Sequence, residues 1–171
     1  FMVASPVIQE NGLWQSNGAV GGNQQVKAFY GGNELIAIGS TLYFAGMANG
    51  TSWQLWQSNG TASGTIPVTN YQTGVIPHRI ATVNGRLFFI GYDDSHDYEL
   101  WKSNGTAEGT VMVKDIFPGS NNSGLNWFTP VNDRLFFIAH HAARDLELWV
   151  SDGTESGTFM LKDIHPDDHY P

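Results

Sequence analysis

Four carboxylate side chains fall within seven residues, in the segment from Asp93 to Glu99. They belong to Asp93, Asp94, Asp97 and Glu99. Hard oxygen ligands at this density are typical of calcium sites, so the segment predicts calcium as the cation that it binds. The spacing differs from that of an EF-hand and no glycine stands at the bend, so a solvated acidic loop is the competing interpretation.

Two tryptophans, Trp53 and Trp127, stand outside a motif that repeats along the chain. Aromatic rings are amphipathic contact surfaces, and exposed ones can stack on sugar rings. With Asp94 and Asp97, these tryptophans form the predicted ligand-binding set. The alternative is that both rings fill gaps between packed sheets.

Other reactive groups are sparse. The histidines that could bind a transition metal are His140, His141, His165 and His169, and unliganded surface histidines are the alternative. The chain has no cysteine, and no serine, histidine and acid are tied together by spacing. We therefore predict that the protein is not an enzyme. The remaining catalytic alternative is polysaccharide hydrolysis by carboxylates such as Asp94 and Asp97.

The repeated motif divides the chain into four similar units. Its copies read LWQSNG, LWQSNG, LWKSNG and LWVSDG and begin at Leu13, Leu55, Leu100 and Leu148. The spacings between them are 42, 45 and 48 residues. A period of this size indicates stacked or radially arranged supersecondary units. We place the repeats at about 1–34, 35–78, 79–126 and 127–171, in a single domain.

Each unit is predicted to hold about four short antiparallel strands. A hairpin precedes the motif, as shown by apolar runs on both sides of turns such as Asn84-Gly85. The motif strand follows, then the SNGT or SDGT turn, then a fourth strand. In that turn the Asn or Asp side chain is expected to accept backbone N–H bonds, which makes it a structural clip. The motif tryptophans, from Trp14 to Trp149, are expected to pack between sheets.

Four strands in about 45 residues are typical of a β-propeller blade. The predicted fold is therefore all-β, a propeller-like array of four four-stranded antiparallel blades in which the first blade lacks one strand. The hairpin strand before each short turn would be innermost. The variable polar loops and the long crossings between blades would then share one face, and ligand binding is expected there.

Composition excludes some partners. There are 8 Lys and Arg against 16 Asp and Glu, a formal charge of −8, so a nucleic-acid backbone would be repelled. No apolar run reaches the length of a membrane span, and the first residues lack the pattern of a signal peptide. A signal sequence for export would lie outside these residues.

The repeats resemble the ELWxxDGT repeat of large bacterial secreted and surface proteins. Residues 147–154 fit that pattern at every specified position, and residues 99–106 depart from it only by Asn104. The second copy has Gln54 and Asn59, and the first has lost both the acid and the threonine. The resemblance covers essentially the whole chain. It implies a propeller-like fold and an extracellular or cell-surface location, and it supplies no activity for particular residues.

These patterns predict a non-catalytic extracellular module that serves as a scaffold or adhesion element. Because unpaired strand edges invite pairing, further copies of the chain or a protein partner are expected to join at the open ends. The alternative is a lectin-like, calcium-dependent domain that binds glycans through Trp53, Trp127 and the acidic segment.

Overall fold

A computed structural model describes residues 11–69, 77–119, 122–140 and 146–163. These residues form fourteen strands in four antiparallel sheets, and no sheet closes on itself. Throughout the described ranges there is no helix, and hence no helix able to cross a membrane. The all-β prediction is confirmed.

The strands follow one another as a meander within each sheet. Sheet 1 contains β1 (Gly12–Ser16) and β2 (Asn23–Ala28). Sheet 2 contains β3 (Gly31–Ile38), β4 (Thr41–Met47), β5 (Gln54–Ser58) and β6 (Ile66–Pro67). Sheet 3 contains β7 (His78–Val83), β8 (Arg86–Asp93), β9 (Asp97–Ser103) and β10 (Val111–Lys114). Sheet 4 contains β11 (Asn126–Val131), β12 (Arg134–His140), β13 (Leu146–Ser151) and β14 (Phe159–Lys162).

The predicted four strands per unit are found in sheets 2, 3 and 4. The strand predicted at residues 1–5 lies outside the described residues. Sheets 2, 3 and 4 begin at Gly31, His78 and Asn126, four, one and one residues before the predicted repeat starts at 35, 79 and 127. The Asn84-Gly85 turn has positive φ at both residues, as a type I′ hairpin requires.

Successive sheets pack face to face through three apolar clusters. Between sheets 3 and 4 the cluster includes Phe88, Leu100, Leu135, Phe137 and Trp149. Equivalent clusters lie between sheets 2 and 3 and between sheets 1 and 2. The first strands are neighbours, with β7 in contact with both β3 and β11. The four sheets therefore form one stack in chain order.

The motif tryptophans pack between sheets, as predicted. Trp56 and Trp149 are buried, and each belongs to the cluster that joins its own sheet to the preceding one. Trp101 packs against the corresponding cluster of sheet 3, and Trp14 in sheet 1 is half-buried. The repeated tryptophan thus serves the contact between one sheet and the sheet before it.

The repeated turn is a hydrogen-bonded clip, which confirms its structural interpretation. In the last copy Asp152 Oδ1 accepts bonds from the Thr154 amide at 2.8 Å and from its hydroxyl at 2.7 Å. The Thr154 hydroxyl oxygen accepts the amide of Gly157 at 2.9 Å, and Ser151 bonds Thr158 through their hydroxyls at 2.7 Å. The copies at Asn59 and Asn104 repeat these bonds.

Removing one hydroxyl from this clip should destabilise the fold modestly. We expect Thr154→Ala to lower the free energy of unfolding by about 1 kcal/mol, because bonds with Asp152 and Gly157 are lost. Glu155→Ala is the matched control, since that side chain is exposed on the same turn. Urea denaturation of both variants tests this, and equal stabilities would contradict the assigned role of the hydroxyl.

A candidate ligand-binding groove

The first strand of each complete sheet carries a β-bulge at an equivalent position. The register shifts lie between Asn33 and Ile36 in β3, between His78 and Ala81 in β7, and between Asn126 and Thr129 in β11. In each bulge one residue other than glycine has a positive φ: 58° at Glu34, 52° at Arg79 and 54° at Trp127. We call these three the bulge residues.

Such a backbone is uncommon for bulky side chains and is found preferentially near functional sites, where a bulge redirects a side chain. All three bulge residues are exposed. Because β3, β7 and β11 are neighbours, equivalent positions bring these side chains to one region of the stack. The backbone feature is constant, whereas the side chain is a carboxylate, a guanidinium or an indole.

An open groove of about 550 Å³ lies beside these bulges. Its lining is mostly polar and comes from sheets 2 and 3 and from the segment that enters sheet 4. The lining residues are Glu34, His78, Arg79, Ile90, Tyr98, Asn122, Gly124, Leu125 and Asn126. Amide, guanidinium and carboxylate groups beside aromatic rings can hydrogen-bond and stack on a polar ligand. We call this region the central groove.

His78 stands against Tyr98, with ring centroids 5.8 Å apart. Burial lowers the pKa of His78 below its usual value; the charge of Glu34 opposes this effect and that of Arg79 adds to it. The imidazole is therefore neutral at pH 7 and offers the groove one donor and one acceptor.

Glu99 holds the wall of the groove in place. Its side chain is fully buried, its Oε2 accepts the Ile116 amide at 2.8 Å, and its Oε1 accepts the Ser123 hydroxyl. The Ser123 hydroxyl oxygen also lies 3.1 Å from the Tyr98 carbonyl oxygen, and the Ser123 carbonyl accepts the His140 amide at 2.7 Å. The motif glutamate thus anchors the crossing from sheet 3 to sheet 4.

The acidic segment forms a tight hairpin rather than a long loop. Asp93 and Asp97 are paired across β8 and β9, and Asp93 accepts bonds from His96 and from the amides of Ser95 and His96. Burial raises the pKa of Asp93, but these bonds lower it below its usual value. Asp94 accepts a bond from the Tyr92 hydroxyl at 3.3 Å.

The structure does not gather the four predicted calcium ligands. Glu99 points into the protein, where its carboxylate binds Ile116 and Ser123, while Asp93 is occupied by His96. Across the part of the chain that the structure describes, no cluster of three acidic or histidine side chains fits a metal ion. His140 is half-buried beside Gly124, and His141, His165 and His169 lie outside the described residues.

The two predicted ligand-binding tryptophans lie in different places. Trp127 is a bulge residue with 71% of its surface exposed. Trp53 is half-buried against Gly31 and lines a separate apolar pocket with Leu13, Phe29 and Phe44 between sheets 1 and 2. Only Trp127 therefore belongs to the neighbourhood of the central groove.

Glu34, His78 and Arg79 line the groove but are not among the residues predicted from the sequence. An alignment of the units would have placed Asn33-Glu34-Leu35, His78-Arg79-Ile80 and Asn126-Trp127-Phe128 in register. The middle position differs in chemistry in every copy and follows a polar residue, Asn33, His78 or Asn126. Such a pattern indicates a position where the backbone conformation is constant and the side chain varies.

Comparison with known proteins shows a likeness of fold. No protein-family model matches the chain, and no curated protein matches its sequence. The backbone is similar to that of an acylaminoacyl peptidase from Pyrococcus horikoshii, with a TM-score of 0.58 and 13% sequence identity. The match covers 94% of this chain and 24% of the peptidase, so the chain spans about a quarter of that protein. At this identity the likeness concerns the fold.

Proposed function

We propose that the chain is a β-propeller module of a secreted or cell-surface protein, and that it serves as a non-catalytic scaffold and adhesion element. The stack of meander sheets with neighbouring first strands supports radial repetition. The ELWxxDGT resemblance supports the extracellular location. Adhesion would take place at the central groove.

The observation that carries this proposal is the set of equivalent bulges. Three neighbouring strands present Glu34, Arg79 and Trp127 from the same strained backbone position. A constant scaffold with different exposed side chains is the usual design of a recognition surface. Each of the three positive φ angles costs conformational energy, and packing of the sheets alone does not require such a backbone.

A lectin-like function is the second candidate. It is favoured by the exposed ring of Trp127 and by the amides of Asn122 and Asn126, which match the hydroxyl groups and apolar faces of sugars. A glycan array with the purified chain tests it. Repeating the array with a chelator tests the calcium dependence that the acidic segment predicts.

Removing the guanidinium group of the bulge residue Arg79 should weaken binding. For the tightest glycan on the array, we expect Arg79→Ala to raise the dissociation constant about ten- to a hundredfold, the effect of losing one well-placed contact. Arg86→Ala is the matched control, because Arg86 is exposed at the hairpin turn at the other end of β7 and β8. Tryptophan fluorescence titration provides the constants. Equal losses in both variants would contradict binding at the groove.

A further inference from the structure

The face of sheet 4 that points away from sheet 3 is apolar, and several of its described side chains are exposed. Leu148, Leu161 and Val131 lie on it with 38%, 44% and 44% of their surfaces exposed. Their equivalents in sheet 3 are Leu100, Val113 and Val83, which are only 0%, 5% and 5% exposed. We call this surface of sheet 4 the outer face.

The equivalent faces of the earlier sheets are covered in one way. Sheet 3 is covered by Leu135, Phe137 and Trp149 of sheet 4, and sheet 2 by Leu87, Phe89 and Trp101 of sheet 3. Sheet 1 is likewise covered by Phe44 and Trp56. Each face is thus covered by the next copy of the repeat along the chain. The motif tryptophan of that next copy is turned toward the covered face. The outer face of sheet 4 is the equivalent of these covered faces, so a sheet of the same type would fit it.

The repeated turns also indicate that a sheet of the same repeat fits the outer face. A side chain at Gly105 would collide with the Tyr43 hydroxyl of sheet 2, and one at Gly153 with the ring of Phe88 in sheet 3, so each turn docks on the sheet before it. Lys102 also donates to the Gly153 carbonyl at 2.6 Å. Phe136 is the sheet 4 equivalent of Tyr43 and Phe88 and is only half-buried.

Sheet 1 offers the complementary half. Its turn carries Gly18, the equivalent of Gly105 and Gly153, and no described residue lies within 4 Å of the position a side chain would take there. It also carries Trp14 at the register of Trp149. One end of the stack therefore holds a face that accepts a sheet, and the other holds a turn and a tryptophan of the accepted type.

We propose that two copies of this chain associate head to tail, with sheet 1 of one copy packed on the outer face of sheet 4 of the other. The Gly18 turn would dock on Phe136, and Trp14 would face Leu148. Two such contacts close a symmetric ring of eight sheets. This contact joins sheet faces, unlike the strand-edge pairing expected from the sequence, and it does not depend on ligand binding at the central groove.

Complementation of two interface variants tests this arrangement. Light scattering with size-exclusion chromatography should show the wild-type chain as a dimer. The double variant Leu148→Asp and Leu161→Asp places charges on the outer face. The variant Trp14→Asp places a charge on sheet 1, at the opposite end of the stack. Each variant alone should be monomeric, with the dissociation constant of the dimer raised at least tenfold. Their equimolar mixture should recover a dimer, because one intact contact remains between unlike copies.

Controls separate a lost contact from a lost fold. Circular dichroism and thermal unfolding should show folded monomers, and Trp14→Ala replaces Trp14→Asp if the latter does not fold. Ile66→Asp places the same charge on an exposed apolar residue of sheet 2 and should leave the dimer intact. A wild-type monomer at all concentrations would overturn the proposal. So would a mixture that stays monomeric, or a dimer of the Trp14 variant alone, which would indicate outer faces packed on each other.

Discussion

Trp149→Ala should lower the free energy of unfolding by about 3 to 5 kcal/mol, the cost of emptying a large aromatic site in a core. The indole has 3% of its surface exposed and stacks on Phe137 with ring centroids 6.3 Å apart. It belongs to the cluster that joins sheets 3 and 4, together with Leu100 and Val113. The cavity would therefore weaken the contact between two sheets rather than one strand.

Trp127→Ala removes the same side chain from an exposed position and is the matched control. We expect it to change the free energy of unfolding by less than about 0.5 kcal/mol, because the ring is exposed and alanine, like tryptophan, carries a Cβ at the same positive φ. Urea denaturation followed by circular dichroism compares the two variants. Similar losses from both would contradict the role of the motif tryptophan as the joint between sheets.

Glu99→Gln should remove most of a pH dependence of stability between pH 4.5 and pH 7. Burial raises the pKa of Glu99 from 4.5 to about 7, against the opposing bonds from Ser123 and Ile116. Between these values the folded chain holds a proton that the unfolded chain has released. Stability from this group is therefore complete below pH 4.5 and is lost as pH rises through 7, by about 3 kcal/mol in total.

The natural precedent is Gln54, which occupies the equivalent position in sheet 2 and donates to the Thr69 carbonyl at 3.0 Å. We therefore expect Glu99→Gln to fold and to exceed the wild-type stability at pH 8. Urea denaturation of both chains from pH 4 to pH 8 provides the difference, which cancels other titrating groups. Parallel curves would show that Glu99 ionises normally in the folded protein.

The scaffold could be predicted from the sequence because each of its features is local. Alternation of apolar residues and the Asn84-Gly85 turn predict a hairpin, and the spacing of Asp152, Thr154 and Gly157 predicts the clip. Repetition along the chain then turns four local patterns into one architecture. The tryptophan register could be assigned for the same reason.

The groove could not be predicted because it depends on register and on distant contacts. At a bulge two residues face one, so the direction of Arg79 or Trp127 follows from strand pairing rather than from alternation. The burial of Glu99 depends on the crossing that brings Ser123 over it, 24 residues later. The sequence predicts a loop for the acidic segment because residue types alone do not indicate that Asp93 and Asp97 pair across two strands.

We propose that the bulges of the first strands form the binding surface. Amide chemical shifts of the ¹⁵N-labelled chain, followed during titration with the tightest glycan from the array, test it most directly. We predict that the largest changes fall at residues 33–35, 78–80 and 122–127 and at Tyr98. Changes centred on Trp53 or on residues 93–97 would contradict it, and a chain that binds no glycan at all would rule out the lectin-like candidate.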